Sequence, residues 1–298
     1  MKVCIILAFH YSHPNDIYFI EDKYRKHLPG ILIDIYNVYK FVTNMKPDKI
    51  VIITDLINDI NLHSVKESII MSYVQSDIFE FMETLYNMKL IYNYINKYDT
   101  LQLIEKYITN SNKIFFYYTG HVHDGNILFP LYNERICYIY NRDDIFLPLE
   151  ELRDLLLNKT METTEIFVVL DCCNSNGLNL AYKLLNNGIY RLIPYNERIF
   201  AKQKIICISS TNRDETSLAS KNGSLFSYYF FKYILAERSL EKLKIKINEE
   251  CYKKYEQTMC INSTYPDIKM VWKWLISPGE EEIKINFFKN FIVIKNNE

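Results

Sequence analysis

The chain has 298 residues, 49% of them hydrophobic, with 35 Lys and Arg against 36 Asp and Glu for a formal net charge of −1. That length suits one large α/β domain or two smaller ones, and the balanced charge excludes a global pull toward nucleic acid or an acidic membrane surface. Seven cysteines, odd in number, irregularly spaced and without a C-x-x-C pair, exclude a disulfide scaffold and a structural zinc site, and fit a reducing compartment.

In chain order, residues 3–9 form a short apolar run that reads as a buried strand. It is too short for a secretory core, no apolar run approaches the roughly 20 residues of a membrane helix, and no prodomain is expected before it; a soluble cytoplasmic protein follows. Residues 31–45 have helical periodicity, and 49–54 (KIVIIT) read as a second buried strand. Thr100 is placed to cap a helix over 101–109, which leads into a strand over 113–118 (KIFFYY). Residues 126–129 and 135–140 read as a hairpin, and Pro148 opens a helix over 149–157. Strands over 165–170 and 204–209 and a Phe/Tyr-rich helix over 224–235 follow, with a last edge strand over 286–295. The irregular stretch 185–204 reads as a linker. Short, continuously apolar strands between helices argue for a mostly parallel sheet covered on both faces.

Two of these strands run into unusual chemistry. The strand over 113–118 leads to Thr119-Gly120-His121, and that over 165–170 leads to Asp171-Cys172-Cys173-Asn174-Ser175. In an open parallel sheet, sites form beyond the carboxyl ends of the strands, so both segments point to one edge. A thiol needs a base or a positive neighbour to attack as thiolate, and His121 could serve. A helix starting after Cys173 would add the positive end of its dipole. The N–H groups of Val122 and Cys173 could hold an oxyanion. Glycines number only seven, and Gly120, Gly125 and Gly177 cluster beside these residues. On spacing alone, a catalytic pair and two structural residues both remain open, because a buried Cys usually serves as a small hydrophobe.

At these residues the sequence resembles the caspase-like cysteine peptidases, metacaspases most of all. Their histidine stands in Y-S-G-H-G, here Tyr118-Thr119-Gly120-His121-Val122; their cysteine stands in D-[SC]-C-H-S-G, here Asp171 to Ser175 with Asn176 at the glycine. The similarity places the nucleophile at Cys173 rather than Cys172, and the interval from His121 matches the roughly 50 residues usual for caspases. Residues 28–34 (LPGILID) resemble L-x-G-C-x-N-D; 52–55, Asp124-Gly125 with Phe129-Pro130, 207–217, 223–228 and Tyr265-Pro266 continue the likeness in order.

The resemblance implies a caspase-like fold, with a large-subunit part over about 1–190 and a small-subunit part over about 200–298. It implies a cysteine endopeptidase with a His121–Cys173 dyad, an oxyanion hole from Val122 and Cys173, and protein or peptide substrates cut after Arg or Lys. Asp34, with Asp214, would line the pocket for that basic side chain. At helical spacing Asp34 falls inside the apolar stripe, where a carboxylate is costly unless paired or facing a cavity. Calcium, which many metacaspases bind, has only weak candidate ligands in Asp124, Asp143, Asp144 and Glu150, and Leu180 stands where a further ligand is expected; no cofactor or only weak calcium dependence is expected. Self-processing within 185–204, at Arg191, Arg198, Lys202 or Lys204, and a monomeric state are further expectations. The alternatives are an inactive binding module of the same fold, which would need neither His121 nor Cys173, and an aspartate-specific caspase, for which Arg213 is the one nameable basic residue.

Overall fold

The structure, a computed structural model, describes residues 1–11, 28, 30–55, 81, 84–85, 87–94, 96–130, 145–175, 177–185, 189–193, 201–220, 222–266, 268 and 272–275. The expected strands over 135–140 and 286–295, together with Pro29, Asp143, Asp144, Asn176 and Arg198, lie outside them.

Six strands of a nine-stranded sheet run parallel: β1 (Lys2–Ala8), β2 (Lys49–Thr54), β3 (Ile91–Asn93), β4 (Lys113–Thr119), β8 (Glu165–Asp171) and β11 (Lys204–Ser209). Their order is β3-β2-β1-β4-β8-β11, and β14 (Cys260–Ser263), β9 (Tyr182–Leu184) and β10 (Tyr190–Leu192) continue it by antiparallel pairing. The chain thus builds outward from β1 in two directions, and a crevice opens where the winding reverses, beyond the carboxyl ends of β1 and β4.

Both faces are covered, and that explains the unbroken apolar strands. Cys4, Ile6, Ala8, Phe115, Tyr117, Phe167 and Val169 face one layer; Val3, Ile5, Leu7, Ile114, Phe116, Ile166 and Val168 face the other. Helices α1 (Ile31–Asn44), α4 (Leu225–Ile234) and α5 (Leu240–Tyr255) contribute to the first layer, and α2 (Lys97–Ile108) and α3 (Leu149–Asn158) to the second.

Several sequence expectations are corrected. The cap of α2 is Asn96, whose side chain accepts the Asp99 N–H at 2.8 Å, so the helix starts at Lys97; the Thr100 hydroxyl donates to the Asn96 carbonyl instead. The segment β6 (Asn126–Leu128) lies between β5 (Val122–His123) and β7 (Phe146–Pro148) in a small antiparallel sheet. Part of the expected linker is the edge strand β10. Helix α5 had no counterpart in the sequence reading, although Leu240, Leu243, Ile247 and Cys251 are buried at helical spacing. The small hairpin of β12 (Ala219–Ser220) and β13 (Gly223–Ser224) leads from the sheet edge into α4.

Candidate active site

Strand register brings the two reactive residues together. β4 and β8 are neighbours, and their last paired residues are Thr119 and Asp171. His121 and Cys173 each stand two residues beyond that pair, on strands about 4.8 Å apart. Both line one cavity of about 530 Å³, with Val122, Asp34, Asp171 and Asp214 also in its wall. The structure therefore gathers the expected dyad, the expected donor positions and both expected pocket acids into one place.

The histidine is fixed by tyrosines. Its N–H donates to Tyr11 Oη at 2.9 Å, and its carbonyl accepts from Tyr118 Oη at 2.7 Å. Tyr11 in turn donates to Leu128 O at 2.8 Å, and its ring lies 4.7 Å from the imidazole. Tyr11 has a left-handed backbone (φ 58°), held because the Asp55 carboxylate accepts the N–H groups of His10 and Tyr11, each at 2.7 Å. Gly120 is required here, since a Cβ would stand 2.5 Å from Tyr118 Oη. The bond from Leu128 N–H to His121 O makes Val122 and Ile127 a non-hydrogen-bonded pair, which turns the Val122 N–H out of the ladder.

The cysteine side is built from hydroxyls. No helix follows Cys173 among the described residues, contrary to expectation: Asn174 (φ 52°), Gly177 (φ 77°) and Asn179 (φ 51°) keep the chain in turns until β9. Cys172 donates its N–H to Ser210 Oγ at 3.1 Å, and its carbonyl accepts from Thr211 Oγ1 at 2.9 Å. The N–H groups of Asn174 and Ser175 go to Glu215 O and Thr211 Oγ1, whereas that of Cys173 has no partner beyond its own sulfur among the described residues. Cys172 is 1% exposed and burial pushes its thiol well up, so it is poorly placed to react. Cys173 is half-buried; burial raises its thiol too, but the Ser217 N–H, 3.3 Å from Sγ, pulls the other way.

The cavity floor carries two buried carboxylates. Asp34, 1% exposed in the first turn of α1, accepts the Ser224 N–H at 2.9 Å. Gly223 (φ 94°) makes that approach possible, because a Cβ would stand 2.6 Å from Asp34 Oδ1. Asp171, 3% exposed, accepts from Ser217 Oγ at 2.9 Å and from Ser227 Oγ at 2.5 Å. Burial raises both acids; the charge of Asp171 adds to the rise at Asp34, and serine bonds oppose it at Asp171. Among the described residues neither has a cation partner. Sequence reasoning named Asp34 but passed over Asp171, reading it only as the start of the cysteine motif. Its position at the end of an apolar strand was the available signal. Asp214 sits at the rim with an exposed side chain and a left-handed backbone (φ 66°), its N–H donating to Asn174 Oδ1.

Of the calcium candidates, the two described ones, Asp124 and Glu150, lie apart. Asp124 lines the cavity mouth, 78% exposed beside His123, while Glu150 lies outside the cavity near Asn179. No group of three or more His, Cys, Asp or Glu able to hold a metal occurs among the described residues. Nor is any described helix long and apolar enough to cross a membrane. All six described cysteines are free thiols.

Residues 76–268 match the family model of the caspase domain, peptidase C14. No curated protein matches the sequence. Among solved structures, protein GSU0716 from Geobacter sulfurreducens shares 13% identity over 90% of this chain and 96% of its own, with a TM-score of 0.52, a likeness of fold. Caspase-1 from Spodoptera frugiperda aligns over 88% of this chain and 86% of its own at 11% identity, with a TM-score of 0.47.

Proposed function

Since the chain belongs to the caspase-domain family of cysteine peptidases, we propose that it is an endopeptidase of metacaspase type that cuts after Arg or Lys. The observation that carries this reading is the cavity itself: a thiol and an imidazole at its wall, with two buried carboxylates that have no cation partner among the described residues. Two buried acids without a counter-ion are costly to keep. A guanidinium or ammonium from a substrate would offset that cost. Arg213, the basic residue an aspartate-specific caspase would need, is exposed and is not among the cavity residues.

In the reaction we propose, the Cys173 thiol passes its proton to His121 and the sulfur attacks the carbonyl carbon after the basic residue. A C–S bond forms, and the oxyanion takes the N–H groups of Val122 and Cys173. His121 then protonates the leaving nitrogen, the C–N bond breaks, and an acyl-enzyme remains. Water, deprotonated by His121, attacks that thioester; the C–S bond breaks and the acid product leaves. Calcium has no assigned role.

We also propose a monomer, because β9 and β10 occupy the sheet edge beyond β14, and a reducing, cytoplasmic setting. Division into large- and small-subunit parts would follow self-processing between β10 and β11. Lys202 is exposed there, 2.5 Å from Glu162, and Lys204 begins β11.

The test is hydrolysis of fluorogenic peptides ending in Arg, Lys or Asp, with and without Ca²⁺, by the full chain and its Cys173→Ala variant. Cleavage after Arg or Lys that falls at least about a thousandfold in the variant supports the reading. Cleavage after Asp would overturn the specificity, and a folded protein with no hydrolysis under any condition would point to a binding module.

A further inference from the structure

Ser217, between β11 and β12, touches both halves of the proposed site at once. Its N–H lies 3.3 Å from Cys173 Sγ, and its hydroxyl donates to Asp171 Oδ1 at 2.9 Å. Behind it stands Gln257, fully buried in the segment after α5. That amide is spent on the same stretch of chain. Nε2 donates to Ser210 O and to Ser217 Oγ, each at 3.2 Å, and Oε1 accepts the Leu218 N–H at 3.4 Å. Neither residue belongs to the motifs read from the sequence, beyond the general likeness of 207–217.

A hydrogen-bond donor aimed at sulfur favours the thiolate, because the anion accepts far more strongly than the thiol. A single backbone N–H in a turn does this well only if it cannot swing away. Here the hydroxyl of its own residue is pinned from below by a carboxylate and from behind by an amide, so the donor's direction is determined. Among the described residues no helix follows Cys173 to lend its dipole, and this N–H is the donor that stands in its place. We propose that Ser217, anchored by Asp171 and Gln257, is a positioning residue that stations its backbone N–H on the Cys173 sulfur. This rests on the reading of Cys173 as nucleophile and is independent of which side chain the acidic pocket accepts.

The experiment follows alkylation of Cys173 by iodoacetamide across pH 5–10 in the full chain, read by mass spectrometry of the Cys173 peptide, with melting temperatures recorded alongside. Ser217→Ala keeps the N–H and removes the hydroxyl's bonds to both anchors; its alkylation rate at pH 7 is expected to fall roughly three- to tenfold, the whole profile moving to higher pH. Ser217→Thr, which keeps the hydroxyl, restores the wild-type profile. Gln257→Met, which removes only the rear anchor, gives a smaller shift in the same direction and carries the test if Ser217→Ala does not fold. Profiles of Ser217→Ala or Gln257→Met that superimpose on wild type overturn the proposal, as does a Thr variant that behaves like Ala. Loss of peptide hydrolysis with the alkylation shifts intact would instead overturn the peptidase reading alone.

Discussion

The two sides of the site are held in opposite ways. His121 is fixed by aromatic rings and phenols from the first half of the chain, through Tyr11, Tyr118 and, behind Tyr11, the Asp55 clamp. Cys173 is fixed by hydroxyls and amides from beyond residue 209, through Ser210, Thr211 and Ser217, with Gln257 behind. The histidine side is a packed corner in which shape sets position. The cysteine side is a polar lattice in which hydrogen bonds do so, and such lattices lose more when one member is removed than any single bond suggests. The candidate site is thus a seam between an early and a late part of the sequence, and each part can be loosened separately.

Removing charge from the cysteine side should act most strongly. In Asp171→Asn, kcat/KM toward an Arg peptide is expected to fall by roughly a hundredfold, since a charged hydrogen-bonding partner and the Ser217 acceptor change together. Discrimination between Arg and a neutral residue should shrink with it. Asp34→Asn tests the pocket without touching the lattice around Cys173. Activity toward Arg should again fall, but stability should rise at neutral pH. The sign follows from linkage: the folded-state carboxyl is raised above its ordinary 3.8, so the folded chain holds a proton that the unfolded chain has released. Stability from this group is therefore present at low pH and is lost as pH climbs from the ordinary carboxylate range through the raised folded value. Asn cannot ionise, so the variant's melting temperature should be higher at pH 7 and should decline less across that window, by about 2–4 °C per kcal/mol of relief. Equal melting curves for the two proteins at pH 7 would remove the argument for charge strain.

On the histidine side, Tyr11→Phe deletes the acceptor for the His121 N–H and the donor to Leu128. The packed rings remain, so the fold should survive with a loss of about 1–3 kcal/mol in denaturant unfolding, and kcat should drop more than KM changes. The smallest effect is expected where the lattice meets the rim. Asn174→Gly loses one side-chain bond to the Asp214 N–H but relieves a left-handed φ, so stability should move by less than about 1 kcal/mol. A large loss there would show that the rim matters as much as the floor.

How far the sequence spoke for itself depended on burial. Strands such as Lys49–Thr54 and Glu165–Asp171 were legible because both faces are covered, leaving apolar runs that no other element explains. The antiparallel strands were not: Tyr182–Leu184 and Cys260–Ser263 are short, mixed in polarity and ordered by their neighbours in the sheet. Helix α5 hid behind its charges, since a stripe of four apolar residues among Lys and Glu looks like a solvated face. His121, Cys173 and Asp34 were legible from motif and stripe. Asp171 was overshadowed by the cysteines beside it. Among the described residues no helix follows Cys173, because Asn174 and Gly177 take left-handed conformations: Asn174 is tied to Glu215 and Asp214, and Gly177 packs so closely on Asn262 that a Cβ would stand 2.1 Å from that side chain.

The register of β4 against β8 has a consequence for the newly made protein. The imidazole and the sulfur belong to neighbouring strands, yet a long intervening segment carrying α3 separates them along the chain. No local turn can unite them, and the lattice that orients the sulfur arrives later still, with residues 210–217 and 257. A chain emerging from the ribosome therefore carries the histidine, then the thiol, then the means to aim it. On the proposed peptidase reading, latency during synthesis follows from the order of translation, and reactivity arises only as a property of the finished sheet.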